Sequence, residues 1–392
     1  MKIDGFTPYI FSGNIADFLT PPVDMLSEDD IKGMAGRNYN AAALIFNQDP
    51  ASHLSGLVSS GKLQSLGKKK SMLVLSQEFA HNGAKMSRVG LICSLDMGTN
   101  ESELIPHEST IREYVEKRKD FLKKTEAQLE PVFIVAPKRD LENELFTALD
   151  RGKMLLSFDD SAGVKNSLYT IDDEQSMRAI SNSLSGTRGI IADGHHRVRA
   201  IIEVNRERER KGLGTIPLLS YVTSLYSPSM VISGVHRIVK NEKEDVIERL
   251  ASGFRSTERG DRRVNGGMTL YDGSYKEIRP RKKTLETLRS NGLKPVTFAD
   301  FSHFLLYGNS GANYEIYSSE GISFTPYERI ATNQVDMGVA SAALLMPNWE
   351  KKMLIKVVSS GRLLPPKSTF FTPKIFAGIT VAIHGGNSSK VV

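Results

Sequence analysis

The chain has 392 residues, 40% hydrophobic and 24% charged, with one cysteine and a net charge of +6. That composition is globular and long enough for two lobes or one large domain with insertions, while the lone Cys93 excludes a disulfide framework or a cysteine-based zinc site. The apolar runs are too short to cross a bilayer and Met1–Gly5 lacks a signal-peptide layout, so a cytoplasmic protein with no membrane partner is expected.

In chain order, Pro21-Pro22 forbids helix, and Ser27 before Glu28-Asp29-Asp30 is a good N-cap. Met72 to Leu75 and Ser87 to Ser94 read as a strand pair turning at His81-Asn82-Gly83. An amphipathic helix is expected from Ser109 or Thr110 to about Leu129, followed by a buried strand at Val132 to Val135. Asp140 to Leu149 is helical, Ser167 to Ile171 a strand, and Glu174 to Leu184 a helix. The apolar strand Gly189 to Ala192 ends in Asp193-Gly194, and helical periodicity begins at His195. A strand at Leu218 to Thr223 follows. Gly253 to Pro295 is weakly patterned and reads as an inserted or mobile segment, and Met353 to Val358 reads as a strand. The end, Leu364 to Phe371, is expected to be an ordered loop. No internal repeat is visible.

A buried strand ending in Asp-Gly before a helix that opens with His-His-Arg is a recipe for anion binding. The first helical turn carries unpaired N–H groups and partial positive charge, Gly194 admits a close approach, and His195, His196 and Arg197 add donors. Asp193 could orient a histidine, hold a hydroxyl or help bind a metal; equally, it could simply cap the helix, with Arg197 in a salt bridge. Adjacent histidines point in different directions on a helix, which disfavours a two-histidine metal site.

Ala192 to Arg197, with Ala200, resembles the signature of the DUF ten-fifteen family of unknown function. Four further blocks are similar in the same order: Pro21 to Ser27, Ile105 to Thr110 with the following basic helix, Val235 to Val239, and Pro365 to Lys374. The Asp-Gly-His-His-Arg turn also resembles the phosphate-binding turn of the ParB and sulfiredoxin superfamily, which includes free-serine kinases. These resemblances imply an α+β fold with a mixed sheet and flanking helices, a nucleotide-binding core with an additional lobe, and a phosphate turn facing a cleft. The expected division is a core over 1–250, a divergent segment over 251–330 and a C-terminal portion over 331–392.

By the same analogy Gly194, His195, His196 and Arg197 would grip the phosphates of ATP or ADP, with Mg²⁺ neutralising charge. Glu108 is the candidate base, with His107 beside it, unless Glu108 merely caps its helix. Lys367, Ser368 and Thr369 could bind phosphate or a carboxylate, or form a turn capped by Ser368. His236 and Arg237 could line the substrate cleft or form a buried ion pair, and Asp24 could be a ligand or an Asx-turn residue. The implied activity is a kinase acting on a small-molecule hydroxyl such as that of free L-serine. The alternative is a ParB-like nucleotide-binding regulator, although no clear recognition helix supports a nucleic-acid partner.

Overall fold

The computed structural model describes residues 1–22, 26, 28–37, 39–98, 101–160, 162–240, 244–263, 266–308, 311 and 321–384. The chain divides into two compact units. The first comprises Met1–Ile105, Thr110–Met230 and Pro373–Val392; the second comprises Pro106–Ser109 and Val231–Thr372.

The first unit is built on a mixed sheet. Its strands lie in the order Leu104–Ile105, Gly189–Asp193, Val132–Ala136, Leu218–Ser224, Ala84–Leu95, Met72–His81, Lys165–Ile171 and Lys153–Asp159, with Ile3–Asp4 added beside the end of Ala84–Leu95. Gly189–Asp193 runs parallel to Leu104–Ile105 and antiparallel to Val132–Ala136, which in turn runs parallel to Leu218–Ser224. Every residue of Val132–Ala136 and Leu218–Ser224 is buried, as expected for central strands covered on both faces. The core between sheet and helices includes Val74, Leu91, Ile134, Leu145, Ile180, Ile191, Ile201 and Val222. Cys93 is buried there, and its thiol is pushed well above the ordinary range by burial, with Asp4 adding to the effect.

Most local expectations in this unit hold. The hairpin closes at Asn82-Gly83, pairing His81 with Ala84, and the Glu174–Leu184 helix has the expected bounds. The basic helix is shorter than expected, Arg112–Thr125. Its N-cap is Ile111 without a side-chain cap, and it ends at Glu126 in the left-handed conformation because the chain then turns into the short strand Ala127–Gln128.

The second unit contains an antiparallel sheet in the order Phe254–Gly260, Tyr275–Pro280, Met268–Tyr271, Ala342–Leu345, His236–Val239 and Ile322–Thr325. The segment from Gly253 to Pro295 is therefore not a loose insertion. It supplies three strands of this sheet and the Lys282–Ser290 helix. Its polarity misleads because Phe254–Gly260 lies at the sheet edge, exposed after Phe254, and because Glu277 is buried against Arg259 and Arg279. Met353–Val358 is also corrected: the β-branched run lies in a helix, Lys351–Ser359, whose buried Leu354 and Val357 stand three apart on one face.

Candidate functional site

Gly189–Asp193 delivers Asp193 to the mouth of the His195–Arg210 helix. Gly194 is the N-cap, at φ 96° and ψ 27°, and the helix start has no side-chain cap. Glycine is required there twice over. The backbone is left-handed, and a Cβ would meet the Arg197 guanidinium at 2.9 Å. Asp193 is not the N-cap, but the salt bridge that the capped-helix alternative expected of Arg197 is present, with Asp193 as its partner.

Those cations are Lys374 and Arg197. Lys374 Nζ donates to Asp193 Oδ1 at 2.8 Å, and Arg197 Nη2 donates to Oδ2 at 2.7 Å. Arg197 Nη1 also donates to the carbonyls of Glu130 and Pro131, both at 2.8 Å. Burial alone would raise the pKa of Asp193. Lys374 and Arg197, with His195 adding to them, outweigh that effect and hold the carboxyl well below the usual range. One carboxylate between one guanidinium and one ammonium leaves this cluster net positive, at the positive end of a sixteen-residue helix.

The two histidines diverge, as the helix geometry demands. His195 is buried. His196 Nε2 accepts a hydrogen bond from the backbone N–H of Ile111 at 2.9 Å, and its ring meets Tyr114 edge-on. His196 therefore ties this helix to the start of Arg112–Thr125. Along the same pair of helices, Lys119 and Arg112 reach Glu203, and Lys123 reaches Glu207.

Glu108 and His107 lie in the second unit. The Arg112–Thr125 helix has Ile111 as N-cap, with no side-chain cap hydrogen bond. Glu108 Oε1 accepts from the backbone N–H groups of Ser368 at 3.2 Å and Thr369 at 2.8 Å, and from Thr369 Oγ1 at 2.7 Å. His107 Nε2 lies 2.8 Å from Thr369 Oγ1. The Leu364 N–H donates to the carbonyl of His107, and the Ser109 N–H to that of Leu364. Pro106–Ser109 thus holds the Pro-Pro-Lys-Ser-Thr loop. In that loop Lys367 has φ 59°, Ser368 Oγ donates to the carbonyl of Pro365 at 2.6 Å, and Trp349 Nε1 donates to the carbonyl of Ser368.

His236 and Arg237 are both buried in the second unit's sheet. His236 Nδ1 accepts from the Met346 N–H at 2.9 Å, and its pKa is lowered to about 3 by burial, with Arg263 and Arg237 adding repulsion. Arg237 donates to the carbonyl of Val235, and its guanidinium lies over the Phe324 ring, 5.8 Å from the centroid. Asp24 and Ser27 lie outside the described residues. Sequence reasoning missed Lys374 as a site residue, although it ends the Pro365 to Lys374 block. Its distance of 181 positions from Asp193 leaves no local pattern to read.

The family model described as "Protein of unknown function (DUF1015)" matches residues 9–302. The chain belongs to that family. No curated protein matches the sequence. Among solved structures, a free serine kinase in complex with AMP aligns with this DUF1015 member at 13% identity and TM-score 0.37, covering 74% of this chain and 92% of its own. A conserved hypothetical protein from Pyrococcus furiosus aligns at 14% and 0.37, covering 73% and 92%. A C-terminally truncated SbnI from Staphylococcus aureus aligns at 11% and 0.39, covering 72% and 84%. These likenesses are distant. Among the described residues no cluster of His, Cys, Asp or Glu is arranged to hold a metal ion, and no helix is long and apolar enough to cross a membrane.

Proposed function

We propose that this DUF1015 member is a nucleotide-dependent kinase for a small-molecule hydroxyl, with free L-serine the first acceptor to try. The observation that carries the reading is the helix start at Gly194, which has no side-chain cap and stands beside the net-positive Asp193, Arg197 and Lys374 cluster. Such a start offers backbone donors, a favourable dipole and fixed cations to the phosphates of ATP or ADP. Phosphoryl transfer asks mainly for alignment and charge neutralisation, which suits a site of this type. Arg197 fixes the turn through the carbonyls of Glu130 and Pro131 and through Asp193.

Both oxygens of Asp193 accept hydrogen bonds from cations. In this reading Mg²⁺ arrives on the nucleotide phosphates. Glu108 is assigned the acceptor proton on chemical type, as a carboxylate oriented by three hydrogen bonds. Lys367 is assigned to anion binding on the same footing, whereas Ser368 and Thr369 give their hydroxyls and backbone N–H groups to the Pro365 carbonyl and to Glu108. The basic helix Arg112–Thr125 does not support a nucleic-acid partner, because Arg112, Lys117, Lys119, Lys123 and Lys124 are paired with acids.

The test is phosphorus NMR of the protein with ATP or ADP, Mg²⁺ and L-serine, beside Glu108→Gln. A phosphomonoester should form with wild type and form at least about a hundredfold more slowly with the variant, at unchanged nucleotide affinity. Nucleotide binding with no transfer to serine or to other small hydroxyl compounds would return the protein to the regulator reading.

A further inference from the structure

Two cavities in the first unit differ widely in size. One, lined by Glu130, Arg197 and mostly apolar side chains, holds about 40 Å³, room for a few waters. The other holds about 380 Å³, within the range of small-molecule sites. One wall of this larger cleft is a face of the Glu174–Leu184 helix, where Glu174, Met177, Arg178 and Ser181 follow the helical spacing. Another wall comes from the end of the sheet. Ile171 pairs with Met72 at the end of their ladder, so Asp172 and Lys70 leave the two strands at the same end. Lys69 and Lys70 are anchored by Ser71, which exchanges backbone hydrogen bonds with Phe6 at 2.9 and 3.0 Å. Gly5 lets these chains meet closely, since a Cβ there would stand 3.1 Å from Lys70 Cβ.

The cleft is lined by three cations and three anions. Four of them satisfy one another. Lys70 Nζ lies 2.6 Å from Asp4 Oδ2, and Arg178 Nη2 donates to Glu174 Oε2 at 3.0 Å. Lys69 and Asp172 are left, and among the described residues neither side chain has a hydrogen bond or an ion pair. The lining therefore has no net charge but one unmatched charge of each sign. A polyphosphate would meet as many carboxylates as cations, which disfavours it. A solute carrying one anion and one cation matches both unmatched groups. Beside them Met177, packed against the core, offers a soft apolar contact, and Ser181 adds a hydroxyl.

We propose that this cleft binds a free α-amino acid with an apolar side chain. Its carboxylate meets Lys69, its ammonium meets Asp172, and its side chain lies on Met177. No residue from Asp193 to Arg197 lines the cleft, and the proposal does not rest on the nucleotide reading.

Isothermal titration with L-leucine on wild type, Lys69→Met and Asp172→Asn tests this, beside 4-methylpentanoate and isopentylamine, which each keep one of leucine's two charges. Thermal unfolding controls for folding, and NMR of methyl-labelled methionine, with Met177 assigned through Met177→Leu, locates the ligand. Wild type should bind leucine and should bind either analogue at least about fivefold more weakly. Each substitution should weaken leucine by a similar factor, and leucine should shift the Met177 methyl signal. No binding of leucine, equal binding of an analogue, an affinity that neither substitution lowers, or an unmoved Met177 signal overturns the proposal. None of these results touches the nucleotide reading.

Discussion

Lys374 donates to Asp193 Oδ1 at 2.8 Å from 181 positions along the chain. The ion pair ties the C-terminal stretch of the first unit to the strand-to-helix turn, and Arg197 completes it from the other side. The folded-state pKa of Asp193 lies below the unfolded value of about 3.9. Its contribution to stability is therefore fully present above pH ~5 and is lost as pH falls below about 4 toward the folded value. Asp193→Asn should destabilise the protein more at pH 7 than at pH 3, as measured by denaturant unfolding at both. An equal loss at the two pH values would show that the charge contributes nothing.

Gly194→Ala forces a Cβ onto a backbone at φ 96° and against the Arg197 guanidinium. A left-handed alanine costs about 1–2 kcal/mol before any displacement of Arg197. The variant should unfold at lower denaturant by roughly that amount and bind nucleotide less tightly. Wild-type stability would mean that the turn relaxes without strain.

Glu108→Ala removes one acceptor from three donors in the Lys367–Thr369 loop. Two of those are backbone N–H groups, and leaving them unsatisfied costs about 1–3 kcal/mol. Glu108→Gln keeps an acceptor oxygen and should lose less. Thermal unfolding of the pair checks this order; an equal loss would contradict it.

Burial is the first cause of depressed pKa values at three histidines. His236 falls to about 3, with Arg263 and Arg237 adding to burial, and His303 to about 4, with Arg237 adding and Asp300 opposing. His384 also falls to about 4, with Glu126 opposing and Arg208 adding. The unfolded chain takes up these protons first, near pH 6.5, so stability falls as pH drops from about 6.5 to about 4. At about 1.4 kcal/mol per pKa unit, each could account for up to about 3 kcal/mol over that window. His303→Gln should flatten the slope of melting temperature against pH there. An unaltered slope would place the acid sensitivity elsewhere.

The first unit was legible in the sequence wherever signals are local. The apolar runs at Val132 and Gly189 could only be buried strands, and the Asn82-Gly83 turn marked its hairpin. The second unit was harder because its pattern is dominated by partners distant in sequence. Glu277 looks like a surface residue until Arg259 and Arg279 are seen beside it. Met353 to Val358 has strand composition, but its burial follows the helical spacing of Leu354 and Val357. The Asp-Gly-His-His-Arg turn was visible as a motif and a salt bridge at Arg197 was among its readings, yet Asp193 as the partner was not, and neither were Lys374 and the buried Arg88. Their positions depend on tertiary contacts that leave no periodicity to detect.

The most direct measurement is isothermal titration of wild type with ADP and with adenosine in the presence of Mg²⁺. A phosphate-binding turn predicts micromolar binding of ADP and at least hundredfold weaker binding of adenosine, a difference of about 2.7 kcal/mol. Equal affinities, or binding of neither, would contradict the account and leave the Asp-Gly-His-His-Arg turn as a structural ion-pair cluster.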